Sequence, residues 1–230
     1  LCTHGKMASR QVHHADALEW LRGVPDGSLP NIVTSLPDMS ETPLTRADDY
    51  EPWFVHAATL CLQKVHPSGY VLFYQTDRRV DGRWVDKSAL VHRAAEAAAV
   101  PLRWHKIVLR RSNLDAVDNL RPTYTHLQCL SARGRPGKAS PDVMHAGASI
   151  YKNAMGLDAA RFAITFVARH TGAPKTVVDP FCGRGTTLAV ANALGLDAVG
   201  VDTNKEQCYE ARRLQLLPKT FPPKSPPNTP

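Results

Sequence analysis

Apolar residues along this chain form two kinds of pattern that alternate from end to end. Short, nearly continuous apolar runs lie at residues 31–35, 70–76, 175–179 and 197–202. Such runs, bounded by turn residues, are typical of strands buried on both faces of a sheet. Between them, apolar residues recur at helical spacing in the segments 52–65, 87–100, 157–172 and 186–195. Strands that alternate with helices predict an α/β fold, with one doubly wound, mostly parallel sheet and helices on both faces.

Weaker patterns extend this alternation. Further strands are predicted at 103–111 and 124–132, and further helices at 16–21 and 205–217. Segments rich in polar residues, glycine and proline predict loops at 40–52 and 133–149. Pro52 is expected near the first turn of its helix, where a missing N–H costs nothing.

The length of 230 residues suits one sizeable α/β domain and leaves little room for a second. We expect a single domain at 8–217, with a catalytic half at about 12–130, a variable loop at about 131–149 and a cofactor half at about 150–214. A tail at 218–230 contains six prolines, so it cannot continue a helix. Residues 1–6 are interpreted as a frayed terminus or a non-native remnant.

Charge and cysteine content narrow the class of protein. The chain has 28 Lys and Arg against 21 Asp and Glu, a net charge of +7 that suggests a polyanionic partner. Its five cysteines include no C-x-x-C pair, which argues against zinc and disulfides and fits an intracellular protein, cytoplasmic or nuclear. Ten histidines show no metal-ligand spacing, and no metal is expected. Neither a membrane span nor a signal peptide is predicted.

The most informative segment is "VVDPFCGRGTTLAVANALGLDAVGVDTN" at 177–204. A strand ends at Asp179, a loop containing Gly183 and Gly185 follows, and a second strand ends at Asp202. Glycines let a ligand approach the backbone closely, and the next helix offers free N–H groups. An acid at the end of the second strand can bind both hydroxyls of a ribose. This layout predicts a site for a nucleoside-containing cofactor.

A dinucleotide is disfavoured at this site. Its binding fold needs a third glycine to pack the helix beneath a pyrophosphate, and that position is Leu188 here. The alternative is an ordinary β-turn-α-β unit with glycines at its turn.

"DPFCGRGTT" resembles the S-adenosylmethionine motif of the amino-methyltransferases that modify DNA and RNA bases. "DALEWLRGVPDGSLPNIVTSLPD" at 16–38 resembles the segment that leads to their catalytic loop, [DNS]-P-P-[YFW]. The catalytic segment precedes the cofactor motif, as in the permuted arrangement called the β class. The resemblance covers roughly 12–75 and 150–214 and implies a Rossmann-like methyltransferase fold that uses S-adenosyl-L-methionine.

The resemblance also implies roles for individual residues. Asp179 and the loop of Gly183 and Gly185 would hold the methionine portion, Asp202 the ribose, and Asp16 would lie near the adenine. Asn153, in a weakly matching segment, is a further candidate contact. The remaining expected cofactor residues flank these positions: Pro180, Phe181, Thr186, Thr187 and Thr203.

The loop "SLPD" at 35–38 departs from the family pattern at two of its four positions. Ser35 keeps an acceptor oxygen, the Leu36 carbonyl can replace that of the first proline, and Pro37 stiffens the turn. Such acceptors pull a base amino group toward tetrahedral geometry, after the base has left its stack. Asp38 replaces the stacking ring with a carboxylate, which can accept two hydrogen bonds or a proton.

Two interpretations of Asp38 remain open. It can read or deprotonate a guanine edge, and the loop partly resembles the "N-L-P" loop of enzymes that methylate tRNA guanine. It can instead cap a turn, in which case Asp38→Ala should lower stability while turnover is retained, whereas the guanine role predicts nearly unchanged stability, since a turn cap contributes only about 1 kcal/mol.

The middle of the chain is basic. Lys and Arg neutralise phosphates, and Arg also stacks on bases. A solvated charged face is the alternative for each cluster. The candidate nucleic-acid-binding residues are Arg78, Arg79, Arg83, Lys106, Arg110, Arg111, Arg133, Arg135 and Lys138.

Together these features predict a methyltransferase that acts on a nucleobase in RNA, with tRNA favoured and guanine as the candidate target. A DNA amino-methyltransferase is the first alternative. A non-catalytic, methyltransferase-like subunit that binds RNA or cofactor and serves a partner is the second, because the stacking aromatic of the catalytic loop is missing.

Overall fold

A computed structural model describes residues 8–80, 82–111, 113, 115–119 and 121–216. Eight strands form one sheet in the order β1-β10-β9-β2-β3-β7-β6-β8, and β4 and β5 form a separate hairpin. The strands are β1 (Arg10–His14), β2 (Ile32–Thr34), β3 (Val71–Gln75), β4 (Arg78–Val80), β5 (Arg83–Val85), β6 (Leu102–Leu109), β7 (Tyr124–Leu130), β8 (Val143–His145), β9 (Thr176–Asp179) and β10 (Asp197–Asp202).

Six α-helices of the described part of the chain cover the faces of this sheet. They are α1 (Ala17–Arg22), α2 (Ala47–Lys64), α3 (Lys87–Ala97), α4 (Leu157–His170), α5 (Thr186–Ala193) and α6 (Lys205–Arg213). No helix among the described residues is long and apolar enough to cross a membrane.

All neighbouring strands of the large sheet are parallel except β7, which pairs antiparallel with both β3 and β6. The predicted doubly wound, mostly parallel sheet is therefore confirmed. Its two apolar faces pack into two cores, one under α2 and α3 and the other under α4 and α5. Strand β2 lies between β9 and β3, so the carboxyl ends of strands from both halves of the chain meet at one edge.

The structure differs from the predicted elements in several places. Helix α2 begins at Ala47, inside the predicted loop 40–52, and Pro52 lies within the helix. Strand β8 lies inside the predicted loop 133–149. Strand β1 and the β4–β5 hairpin were not predicted, because these short strands are polar or basic and lack an apolar run. The interpretations of residues 1–6 and of the tail at 218–230 lie outside the described residues.

Candidate active site

A cleft of about 1020 Å³ opens at the carboxyl ends of the central strands. It brings together the predicted catalytic loop and the predicted cofactor loop. Parallel sheets place ligands at this edge. All of the expected catalytic residues line the cleft, as do all of the expected cofactor residues except Gly185.

The cofactor loop connects β9 to α5 through two glycines in left-handed conformations. Gly183 has a φ of 52° and its amide donates to Asp202 Oδ2 at 2.9 Å. Gly185 has a φ of 88° and caps α5. A Cβ on Gly185 would lie 2.8 Å from the Cα of Ala211 on α6, so this glycine permits close packing behind the loop instead of ligand contact.

Asp179 lies at the end of β9 and is buried. Its Oδ1 accepts from the Thr34 hydroxyl at 2.6 Å and from the Phe181 amide at 3.2 Å. Burial raises the pKa of Asp179 to about 6, although hydrogen bonds from Thr34 and Thr187 act in the opposite direction. The Thr34 bond joins the strand before the catalytic loop to the strand before the cofactor loop.

Asp202 ends the neighbouring strand β10, one position away in the sheet. Its Oδ1 accepts from the amide of Asn204 at 2.7 Å, and its carbonyl accepts from the amide of Ala15 at 3.0 Å. That second bond places Asp16 beside it. Asp16 caps α1, with Oδ1 accepting from the amides of Leu18 and Glu19. Two carboxylates therefore lie at one end of the cleft.

The segment before α4 forms the opposite wall of the cleft. Asn153 lies there with a φ of 66°, a conformation that asparagine tolerates better than most residues. Tyr151, not anticipated from the sequence, has its hydroxyl 3.0 Å from Thr186 Oγ1 and its ring under the guanidinium of Arg184 at 4.6 Å. Tyr151 therefore connects this wall to the first turn of α5.

The loop at 35–38 is held in place by a contact with α2. Ser35 is exposed to the cleft and Leu36 is buried. The carbonyl of Pro37 accepts from the Tyr50 hydroxyl of α2 at 2.8 Å. Trp53, one turn later, packs on Tyr50 with ring centroids 5.8 Å apart and lines the cleft. The loop therefore presents the Ser35 side chain on a fixed backbone.

Asp38 is enclosed by three cations. Its Oδ1 accepts from Lys87 Nζ, and its Oδ2 lies 2.9 Å from Arg121 and 3.2 Å from Arg78. Burial alone would raise the pKa of Asp38, but Lys87, Arg121 and Arg78 together lower it. A carboxylate held in this way is a weak proton acceptor, so the geometry favours a role in fixing the loop over the predicted role as a base.

Lys87 and Arg121 are functional candidates that sequence reasoning missed. Lys87 is only 1% exposed and opens α3, an alanine-rich helix whose pattern suggested nothing beyond packing. Arg121 follows a polar segment with no regular pattern. Only tertiary structure brings them to Asp38, 49 residues from Lys87 in the chain.

A second missed network lies beneath α3. Asp77 Oδ2 is 3.0 Å from His126 Nε2, and His126 Nδ1 is 2.9 Å from His105 Nε2. Asp77 Oδ1 accepts from the backbone amide of Lys87. Ligand atoms of Asp77, Asp86 and His126 lie within 4.8 Å of one another, a grouping that the sequence spacing did not predict. Hydrogen bonds within the protein already account for the Asp77 oxygens.

Four of the predicted nucleic-acid-binding residues are poorly placed for contact at the cleft. Lys106 is buried, and its Nζ donates to the carbonyls of Ser140 and Pro141. The other three, Arg133, Arg135 and Lys138, follow β7 at the opposite edge of the sheet. The Arg133 amide donates to Pro67 and the Arg135 carbonyl accepts from Tyr70, both just before β3 begins. The positive charge of these residues could be read from the sequence, but whether they lie at the cleft edge of the sheet or at the opposite edge could not.

The other basic residues lie at or near the cleft. Arg110 and Arg111 line it. Arg78, Arg79 and Arg83 are on the β4–β5 hairpin, which follows β3 at its carboxyl end. Arg83 pairs with Asp48 and Glu51 of α2.

Comparison with known proteins agrees with this geometry. Residues 149–213 match the family model described as DNA methylase, a range that includes the whole cofactor loop. None of the curated proteins matches the sequence.

Several solved structures share the fold. PvuII DNA methyltransferase, described as cytosine-N4-specific, aligns with a TM-score of 0.73 at 17% identity, over 91% of this chain and 88% of that one. TTHA0409 of Thermus thermophilus, named as a proposed DNA modification methylase, aligns at 0.69 and 18% identity, over 90% and 93%. It has also been solved with S-adenosyl-L-methionine, and that structure aligns at 0.68 and 19%, over 89% and 92%. At these identities the structural likeness establishes the Rossmann-like fold.

Proposed function

We propose that this chain is an S-adenosylmethionine-dependent amino-methyltransferase that methylates the exocyclic amino group of a base in DNA. The observation that carries the proposal is the Thr34–Asp179 hydrogen bond of 2.6 Å, which joins the catalytic and cofactor strands at one cleft. We further propose that the chain has the permuted, catalytic-before-cofactor order and that 8–217 acts as one domain, because β10 and β9 of the cofactor half lie between β1 and β2 of the catalytic half in one sheet.

The cleft residues fit S-adenosyl-L-methionine, which supplies an activated methyl group when bound. Gly183 has no side chain, so the loop leaves space in the cleft. An added Cβ would lie 3.2 Å from Gln207 Oε1, which also lines the cleft, and would narrow that space. The oxygens of Asp202 each accept one backbone hydrogen bond and retain lone pairs for ribose hydroxyls. Asp179, Tyr151 and Asn153 would contact the parts of the cofactor other than the ribose.

Ser35 and the Leu36 carbonyl would act on the target base. An exocyclic amine is a poor nucleophile because its lone pair is delocalised into the ring. Two acceptors on a fixed loop would orient its N–H groups and release the lone pair for attack. Tyr50 fixes that loop through the Pro37 carbonyl, and Asp38 fixes it through its three cations.

DNA is favoured over the RNA that the sequence analysis expected. The matching family model is described as DNA methylase, and the structural neighbours carry the names of DNA methylases. The net charge of +7 and the arginines at the cleft suit either nucleic acid. Methylation of RNA, including tRNA guanine, is therefore tested in parallel with methylation of DNA.

The test is methyl transfer from labelled cofactor to DNA and RNA in parallel, followed by identification of the modified nucleoside. We expect label in DNA as N4-methylcytosine or N6-methyladenine. Asp202→Ala is the matched control, because losing two charge-assisted hydrogen bonds should weaken cofactor binding by about 2–4 kcal/mol. Label in RNA alone, or methylated guanine, would contradict the proposal.

The alternative function is a non-catalytic subunit that binds cofactor or nucleic acid. The carboxylate of Asp38, in the place where the family has a stacking ring, favours it. In that case calorimetry would detect cofactor binding, with no label transferred to either nucleic acid.

A further inference from the structure

The hairpin of β4 and β5 stands apart from the large sheet. Its two strands pair with each other in a separate sheet, with Arg79 opposite Trp84. It begins shortly after β3 ends, where Gln75 and Thr76 line the cleft. The hairpin therefore rises beside the opening through which a substrate must reach Ser35.

One exposed aromatic ring lies on this hairpin. Trp84 is 42% exposed, although large apolar side chains are usually covered in a folded domain. The guanidinium of Arg79, itself exposed, lies over the indole with its carbon 5.8 Å from the ring centroid. The pair thus presents a flat ring and a positive charge together.

The base of the hairpin is tightly held. Asp77, which directly precedes β4, accepts hydrogen bonds from the Lys87 amide and from His126. On the other strand, Arg83 pairs with Asp48 and Glu51 of α2. These contacts hold both ends of the hairpin, so Trp84 is presented on a backbone of fixed position.

We propose that Trp84 and Arg79 form a stacking platform for a nucleotide that flanks the target base. An indole face stacks on any base, and an adjacent guanidinium neutralises a phosphate. Rigid placement lowers the entropy cost of binding. Arg78, next to Arg79 in the sequence, forms an ion pair with Asp38. This ion pair connects the platform to the catalytic loop. This inference rests on the proposed function, since it requires a nucleic-acid substrate.

The test compares Trp84→Ala, Trp84→Phe and wild type in DNA binding and methylation at one fixed salt concentration. Loss of one stacked base should raise the KM for DNA by about 10- to 100-fold. kcat and cofactor affinity should stay unchanged, which also shows that the variant is folded. Trp84→Phe keeps a stacking face and should recover most of the lost affinity.

Tyr209→Ala is the matched control. Tyr209 is 56% exposed on α6. The guanidinium carbon of Arg213 lies over its ring, 5.0 Å from the ring centroid. Neither Trp84 nor Tyr209 lines the cleft itself, but Tyr209 lies on α6, outside the hairpin that contacts the catalytic loop through Arg78, so its loss should leave the KM for DNA unchanged. An equal effect in Tyr209→Ala and Trp84→Ala would overturn the inference.

A direct contact can also be measured without turnover. DNA titrated into wild-type protein should quench tryptophan fluorescence, and Trp84→Phe should remove most of that quenching. A wild-type KM in Trp84→Ala together with wild-type quenching in Trp84→Phe would overturn the platform while leaving DNA methylation intact. Absence of methylation in every protein, wild type included, would instead overturn the proposed function.

Discussion

Asp179 is a buried carboxylate that lines the cleft and lowers the stability of the folded protein at neutral pH. Its pKa is raised from 3.8 to about 6 by burial, so the folded state holds the proton more tightly than the unfolded state. The resulting stabilisation is complete below pH 3.8 and is lost as the pH rises to about 6. At neutral pH the buried carboxylate then costs up to about 3 kcal/mol.

Asp179→Asn should therefore be more stable than wild type at pH 7–8, by about 1–3 kcal/mol, and should bind the cofactor more weakly. Chemical denaturation at several pH values measures the first effect and calorimetry the second. The wild-type loss of stability between about pH 4 and 6 should be absent from the variant. Superimposable pH profiles would mean that Asp179 does not titrate as described.

Asp38 gives the second prediction at this scale. Its removal leaves Lys87 as a charge that is 1% exposed and has lost its hydrogen-bonded partner. Asp38→Ala should therefore cost about 3–5 kcal/mol of unfolding free energy, well above the roughly 1 kcal/mol expected for a turn cap. The double variant Asp38→Ala/Lys87→Met should recover most of the loss. Asp38 also directly precedes the 3₁₀ turn Met39–Glu41, and its amide donates to Glu41 Oε2 at 2.9 Å, so a loss of only about 1 kcal/mol would favour the cap interpretation.

The pH dependence of this pair has the opposite sign to that of Asp179. Because the cations lower the pKa of Asp38, its contribution is present above the usual value of 3.8 and is lost as the pH falls through the folded-state value. At this scale the sequence predicted that Asp38 would lie on the catalytic loop. It could not predict Lys87 and Arg121, which become neighbours only through packing.

The α5 element begins at a glycine whose role differs from the predicted one. Gly185 was expected to touch the cofactor, but it faces α6 and has a left-handed φ of 88°. Gly185→Ala should cost about 2–4 kcal/mol, from left-handed strain plus the displacement of the Ala211 backbone. Chemical denaturation measures this loss.

Gly195 provides a control for that prediction. It has a φ of 79°, and no atom of the described residues lies within 4 Å of the place that an added Cβ would take. Gly195→Ala should therefore show the strain alone, about 1–2 kcal/mol. Equal losses in the two variants would mean that packing against α6 is unimportant.

Elements with apolar runs or helical spacing were predictable, and their predicted ends fall within a few residues of those observed. The exceptions are informative. Strand β1 is polar because it is an edge strand with a single buried residue, Val12. The hairpin strands are basic because they face solvent. Hydrophobic pattern detects a strand only when the strand helps to form a core.

At the scale of the whole molecule, positive charge at the cleft edge of the sheet should dominate nucleic-acid binding. Affinity should fall with salt with a log–log slope of roughly 0.7–0.9 per phosphate contacted. Replacing Arg110 and Arg111 with alanine should make the slope shallower by roughly 1–2. Calorimetry should find cofactor binding unchanged.

Arg133 and Arg135 supply the matched control, because the same loss of two charges then occurs at the opposite edge of the sheet. Replacing them should leave the slope nearly unchanged. Equal changes for both pairs would mean that overall charge, and not the cleft, attracts the nucleic acid. The sequence predicted a basic middle region, but only the topology divides it into two edges.

The position of β1 has a consequence for how the chain is made. Arg10 pairs with Ala198 and His14 with Asp202, so β1 can pair only after a strand that lies far along the chain has been made. During synthesis β1 leaves the ribosome long before its partner, and β2 precedes β9 by a similar interval. Contacts this distant in sequence slow folding. A ribosome-bound chain that stops before β10 therefore holds β1 without its pairing strand, and the cleft can form only after β9 and β10 have been made.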